Sequence, residues 1–199
     1  MRPVGVLSFQ GDFARHIEMC SRLGVETVQV RDGSSIDGCE ALIIPGGEST
    51  TIGMLSERFG VTRAVRKRMS NGMPVLGTCA GTILLANEVE GPEQPLFGGV
   101  PISVARNAYG RQIESFEDTL VATDAGEAAG LAEPPVLGVF IRAPIVTTVG
   151  DGVEVLLTHE NRPVLLRYES CLLATYHPEL TDDTRTHELF LRMIWSVRG

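Results

Sequence analysis

Three features of this sequence predict an α/β fold of three layers, with a mainly parallel or mixed central sheet and helices on both of its faces. Short apolar runs at residues 4–9, 41–44, 73–76 and 171–176 read as strands covered on both sides. Helical periodicity separates the first runs, with Phe13, Ile17, Cys20 and Leu23 at helix spacing. The order strand, helix, strand, strand, helix, strand, helix then calls for crossover connections, which parallel strands require.

Taken in order, the strand at 4–9 is followed by the turn Gln10-Gly11-Asp12, with Asp12 placed to cap the next helix. Gly24 ends that helix, residues 25–30 alternate as a strand, and 31–40 form a polar connection. The strand at 41–44 runs into Pro45-Gly46-Gly47-Glu48-Ser49-Thr50, ahead of a helix from about Thr51. The cationic cluster Arg63, Arg66, Lys67 and Arg68 reads as a solvated helix face. Residues 82–88 have helix-start composition, 90–99 read as loop, and 100–104 as a strand whose early Pro101 suits a strand start or edge. Strands are expected at 119–122 and 136–141 around a loop at 124–135, a hairpin at 153–157 and 164–168, and a last helix over 183–195. No repeat or linker divides the chain, so a single domain over 1–199 is expected.

Composition excludes several function classes. The chain has 199 residues, 43% of them hydrophobic, and a mean hydropathy of +0.11, enough for one substantial core. A net charge of −8 and a pI near 5.0 leave no basic stripe for nucleic acid. No apolar run approaches the ~20 residues that cross a bilayer. Cys20, Cys39, Cys79 and Cys171 form no C-x-x-C pair, and the first residues read directly as a strand, which fits a reduced, cytoplasmic protein. The four histidines are scattered singly, so neither a metal site nor a cofactor is expected.

The chemistry concentrates at Gly77-Thr78-Cys79-Ala80-Gly81, a Gly-x-Cys-x-Gly turn between a buried strand and a helix. This is the pattern of a nucleophile elbow, in which a sharp turn lifts the reactive side chain above the edge of a sheet. A free thiol has a pKa of roughly 8.5, and the unpaired N–H groups of a helix start favour its anion. The N–H of Ala80 would face a developing oxyanion. A packed, inert thiol is the alternative on these five residues alone. Gly46-Gly47 follows another strand and would open on the same crevice, although the dipeptide by itself also fits an ordinary tight turn. His177-Pro178-Glu179 offers a base and a carboxylate to orient it, since residues two apart in an extended chain share a side. His159 and His16 are rival bases, and a plain surface turn is the other account of the tripeptide. Arg142 ends an apolar strand, where it either reaches solvent or binds an anion at a pocket rim. The polar segment 106–112 is either a surface loop or a recognition element.

These segments together resemble the class I glutamine amidotransferases and, within them, the glutaminase subunits of pyridoxal 5'-phosphate synthase. The likeness spans nearly the whole chain. It is carried by Gln10-Gly11 and His16, Pro45-Gly46-Gly47-Glu48-Ser49-Thr50-Thr51, the Cys79 elbow, Arg106-Asn107-Ala108-Tyr109-Gly110-Arg111-Gln112, Ser115-Phe116-Glu117, Phe140-Ile141-Arg142-Ala143-Pro144 and His177-Pro178-Glu179-Leu180. The resemblance implies a flavodoxin-like sheet and hydrolysis of L-glutamine to glutamate and ammonia through a glutamyl thioester. It implies Cys79 as nucleophile, His177 as base and acid, and Glu179 as the residue that orients the histidine. It places Gly47, Glu48, Ser49, Arg106, Ile141 and Arg142 at glutamine, with Glu48 suited to the α-ammonium and arginine to the α-carboxylate. The N–H groups of Gly47 and Ala80 would form the oxyanion hole. The implied partner is a barrel-shaped synthase subunit that receives the ammonia internally and raises a weak glutaminase activity on docking, with Gln10 near the contact surface. Arg15, where an acidic residue is frequent, and Thr82, where a larger apolar one is common, depart from the family pattern. The rival functions are a glutaminase feeding another synthase, a non-catalytic assembly module and an esterase-like acyl transferase.

Overall fold

The computed structural model describes residues 2–106 and 115–196. Its centre is an eight-stranded sheet. The strands that build it are β1 (Val4–Leu7), β2 (Thr27–Val30), β3 (Ala41–Ile44), β4 (Val75–Thr78), β8 (Val121–Ala122), β11 (Glu154–His159), β12 (Arg162–Tyr168) and β13 (Cys171–Ala174), in the order β2-β1-β3-β4-β13-β12-β11-β8. From β2 to β13 the pairing is parallel, and β12, β11 and β8 add an antiparallel flank. The sheet is therefore mixed, with its parallel half where the sequence shows continuous apolar runs.

Alternate residues of the parallel strands feed two cores. Leu42, Ile44, Val75, Cys171 and Leu173 pack on one face with Ile52, Val61, Val65 and Leu84. Those come from helices α2 (Ser49–Arg58), α3 (Val61–Met69) and α4 (Ala80–Leu85). Ala41, Ile43, Leu76, Leu172 and Ala174 pack on the other with Cys20, Phe190 and Ile194 of helices α1 (Phe13–Arg22) and α6 (Arg185–Ser196). Burial on both faces is the reason these strands lack polar alternation. Two smaller sheets complete the chain. Strands β5 (Ala86–Glu90), β6 (Val100–Ala105) and β10 (Ile145–Val149) form one, and β7 (Ser115–Thr119) with β9 (Leu137–Ile141) forms the other. In the second, Phe116 lies opposite Phe140 with stacked rings 4.7 Å apart.

Several local expectations are corrected. The helix expected through 82–88 stops at Leu85, because Ala86 to Glu90 pairs parallel with β6. Residues 124–135 hold a short helix, α5 (Asp124–Ala128), whose N-terminus is capped by the Thr123 hydroxyl. Strand β10 is not among the expected strands, although its five residues are all β-branched. Asp12 stands at the N-cap of α1, but its side chain makes no capping bond. Helix α2 begins at Ser49, with Glu48 as its cap. The cationic cluster on α3 is only partly solvated, since Arg66 donates to the carbonyls of Leu96 and Phe97 and Arg68 to that of Cys39. The hairpin of β11 and β12 turns through Glu160 and Asn161, both at positive φ. The recognition segment over 107–112 lies outside the described residues. Among the described residues, no helix is long and apolar enough to cross a membrane.

Candidate active site

Parallel strands deliver their carboxyl ends to one edge, and β3, β4 and β13 are neighbours there. Three loops leave that edge side by side: Pro45-Gly46-Gly47 after β3, Cys79 after β4, and Thr175-Tyr176-His177 after β13. Cys79 sits between strand and helix at φ 48° and ψ −102°, a strained conformation for a residue with a side chain. Two features hold it there. The Cys79 N–H donates to the Ala174 carbonyl at 2.8 Å, and the buried Thr82 hydroxyl donates to the same oxygen at 2.7 Å. Gly81 lets α4 approach β3 closely, since a Cβ there would stand 2.1 Å from the Ile44 carbonyl oxygen. Thr82 thus ties the elbow to the strand that leads to His177. Arg15 pairs with Glu18 at 3.3 Å on the exposed surface, a contact of small energetic weight.

His177 Nδ1 lies 2.8 Å from Glu179 Oε1, with both side chains buried. The pair forms as expected, but by a different geometry. Residues Pro178–Leu180 make a 3-10 turn that curls Glu179 back beneath the ring, in place of an extended chain. The His177 N–H also donates to the Val139 carbonyl at 2.8 Å, so β9 braces the histidine and carries Ile141 and Arg142 to the same place. Arg142 has φ 45° and is exposed at the rim. The Cys79 Sγ is 3.9 Å from the Ile141 carbonyl oxygen.

Burial alone would lower the pKa of His177, but the Cys79 side chain and then the Glu179 carboxylate outweigh it and raise the ring to about 10. Glu179 shows the same contest with the opposite sign. Burial would push it up, yet the adjacent His16 and His177 rings hold it well below the usual carboxylate range. An imidazolium between a carboxylate and a sulfur is the arrangement that sustains a thiolate nucleophile.

Cys79, Gly47, Glu48, Ser49, Arg106, Ile141, Arg142 and His177 all line one cleft of about 280 Å³. Glu179 lies behind His177, and Ala80 opens α4 directly after Cys79. The carboxylate of Glu48 is already engaged, accepting from the N–H groups of Thr50 and Thr51 and from the Thr51 hydroxyl. The Thr51 hydroxyl leads the contacts that lower its pKa. The side chain of Gln10 donates to the Glu48 carbonyl at 2.9 Å. Gly46 lies against Cys79 and His177, and its missing Cβ would stand 2.4 Å from His177 Cε1 and 3.3 Å from Cys79 Cβ. Asp12, His177 and Glu179 place possible metal-ligand atoms within 4.8 Å of one another. Glu179 and His177 use theirs on each other, so the set reads as an acid–base pair.

The rival bases are placed elsewhere. His159 Nε2 meets Asp118 at 3.0 Å, with its ring against Phe116 and Phe140. His16 lies behind Glu179, with Nε2 3.4 Å from Oε2. Sequence reasoning missed Gln94, whose Oε1 accepts from Ser49, Thr50 and Arg106 at 2.9, 3.2 and 2.8 Å. It sits in a Pro/Gly-rich loop that gave no signal. It also missed His187, whose only sequence trace is a polar residue on the buried face of α6.

The SNO glutamine amidotransferase family matches residues 6–196 of this chain. The pyridoxal 5'-phosphate synthase subunit PdxT from a strain of Thermus thermophilus is 50% identical over 96% of each chain. The subunit of the same name from Parafrankia sp. is 45% identical over 98% of this chain and 95% of its own. Among solved structures, a crystal structure of a glutamine amidotransferase superposes with a TM-score of 0.89 at 48% identity, covering 96% of this chain and 98% of its own. A Thermotoga maritima glutamine amidotransferase shares the fold at a TM-score of 0.65 and 11% identity, covering all of this chain and 86% of its own.

Two outcomes test the geometry of the site. Gly46→Ala drives a methyl group into the His177 ring and lowers kcat on glutamine by about 10²-fold, the scale of a displaced catalytic group; an unchanged kcat contradicts the packing described. In Cys79→Ala, His177 loses the strongest raising influence, so its imidazole titrates below about 10 in NMR. A midpoint equal to that of the unsubstituted protein contradicts the coupling.

Proposed function

We propose how this chain, which belongs to the SNO glutamine amidotransferase family, carries out its reaction. It is a glutaminase subunit of a pyridoxal 5'-phosphate synthase. It hydrolyses L-glutamine to L-glutamate and ammonia and supplies that ammonia to vitamin B6 synthesis. The observation that carries the reading at residue level is the cleft holding Cys79 beside a buried His177–Glu179 pair.

In the proposed mechanism, Cys79 Sγ attacks the side-chain carboxamide carbon of glutamine. His177 gives its proton to the amide nitrogen, ammonia leaves, and the γ-glutamyl group remains on sulfur as a thioester. His177 then takes a proton from water, the hydroxide attacks the thioester carbon, glutamate departs, and the thiolate is restored. Glu179 fixes the ring so that its proton-bearing Nδ1 faces the carboxylate and Nε2 is free for transfer. The oxyanion of each tetrahedral intermediate is taken by the N–H groups of Gly47 and Ala80, where one such donor contributes ~3 kcal/mol. Arg106 and Arg142 grip the α-carboxylate, with Ser49, Ile141 and Glu48 framing the rest of the amino acid. Because the Glu48 carboxylate also caps α2, it meets the α-ammonium group with its orientation already set.

The partner is a synthase subunit in a hetero-oligomer, into which ammonia passes without release. Gln10 is the proposed lever between docking and chemistry, since its side chain holds the carbonyl of Glu48 next to the Gly46-Gly47 loop. Glycine at these positions lets a peptide rotate at small cost.

Ammonia release and pyridoxal phosphate absorbance, followed with the synthase subunit present, test this function. Cys79→Ala abolishes synthesis from glutamine and leaves synthesis from added ammonium intact. Equal loss from both nitrogen sources assigns Cys79 a structural part and contradicts the proposal. An active synthase that never yields pyridoxal phosphate from glutamine with this chain contradicts the subfamily function.

A further inference from the structure

Behind the catalytic pair, four separate elements converge on one dry spot. Glu179 comes from the turn after β13, Thr78 from β4, His16 from α1 and His187 from α6. Thr78, His16 and His187 are fully buried, and Glu179 is 4% exposed. His16 Nε2 is hydrogen-bonded to Thr78 Oγ1 at 3.1 Å and its Nδ1 to His187 Nε2 at 2.9 Å, while Nε2 also stands 3.4 Å from Glu179 Oε2, a buried oxygen that makes no hydrogen bond among the described residues. His187 Nδ1 is buried without a hydrogen-bond partner among the described residues.

We propose that His187 and His16 are positioning residues for the reaction, a neutral line in which hydrogen bonds to His187 and Thr78 fix His16 so that its Nε2 faces the second oxygen of Glu179 while the first orients His177. The inference rests on the glutaminase function proposed above. Its direction follows from the proton shared by the two rings. With that proton on His16 Nδ1 and a neutral ring, bare His16 Nε2 would face the Glu179 carboxylate, and His187 would carry a buried Nδ1–H with nothing to accept it. With the proton on His187 Nε2, His16 turns an Nε2–H toward both Thr78 and Glu179. The atom left over is then an unprotonated His187 Nδ1, and a buried acceptor without a partner is tolerated better than a buried donor. A doubly protonated His16 again leaves the His187 donor stranded. Burial, the largest cause, pushes the His187 pKa down to about 3, in keeping with a neutral His187 ring.

A neutral line does something that a buried cation would not. It fixes the carboxylate in place without cancelling its charge, so the negative charge remains for His177. The titratable groups that face the line are His177 and Glu179 from the turn after β13 and Asp12 ahead of α1.

The test uses the chain with its synthase subunit and has two arms. His187→Leu keeps much of the volume and removes the donor, whereas His187→Gln keeps an N–H near the position of Nε2. The leucine variant lowers kcat on glutamine by about 10- to 100-fold, the range seen for residues that orient a reacting group's ligand. Its KM changes less than twofold, and the rate of Cys79 alkylation by iodoacetamide at neutral pH falls. The glutamine variant recovers most of both. A leucine variant that melts like the unsubstituted chain and keeps its kcat and alkylation rate overturns the proposal, as does equal impairment of the two variants. The second arm needs no substitution and does not depend on glutaminase activity, so it separates failure of the line from failure of the function. Histidine ¹⁵N shifts of the unsubstituted chain show His16 and His187 as neutral Nε2–H tautomers at neutral pH. An Nδ1–H or doubly protonated His16 overturns the assignment, even if both variants fail to fold.

Discussion

The site depends on the parallel pairing of β4 with β13, in which Ala174 stands opposite Thr78. That register sends two chains off the same edge within reach of each other, one turning into Cys79 and the other reaching His177 three residues later. The Ala174 carbonyl seals it by accepting from both the Cys79 N–H and the Thr82 hydroxyl. A strained elbow is therefore held by the strand that leads to His177. Slippage of either strand would turn alternate side chains to the wrong face and separate the pair.

Upon that frame, the chemistry is an exercise in keeping charge in a dry place. Glu179 is 4% exposed and His177 also 4%, so each would lose its charge if it stood alone. Each is held ionised by neighbours: the carboxylate by two imidazole rings, and His177 by Cys79 on one side and Glu179 on the other. Ion pairs of this kind contribute little to net stability once desolvation is counted. Their value lies in keeping a proton on His177 beside the Cys79 sulfur.

The parallel half of the fold was legible because strands buried on both faces are continuous apolar runs, as at Ala41 to Ile44 and Cys171 to Ala174. The Cys79 elbow and His177-Pro178-Glu179 were legible because both are local in sequence. What escaped was set by tertiary contacts. Ala86 to Glu90 is a strand only because β6 lies beside it. Gln94 carries no local signal, since its meaning comes from Ser49 and Thr50 of α2 and from Arg106 after β6. His187 is one polar position on an apolar helix face, which by itself fits a satisfied core histidine as well as a relay. The capping of α2 by the Glu48 carboxylate was equally hidden, since it depends on where that helix begins.

The central claim is that Cys79 forms a covalent bond to the glutamyl group within the cleft beside His177. Acid quenching of the chain during turnover of L-glutamine with its synthase subunit, followed by peptide mass spectrometry, tests this directly. The account predicts a peptide containing Cys79 that is heavier by one glutamyl group, and none on Cys20, Cys39 or Cys171. Steady release of glutamate with no adduct on Cys79 at any quench time, or with the adduct on another cysteine, would contradict it.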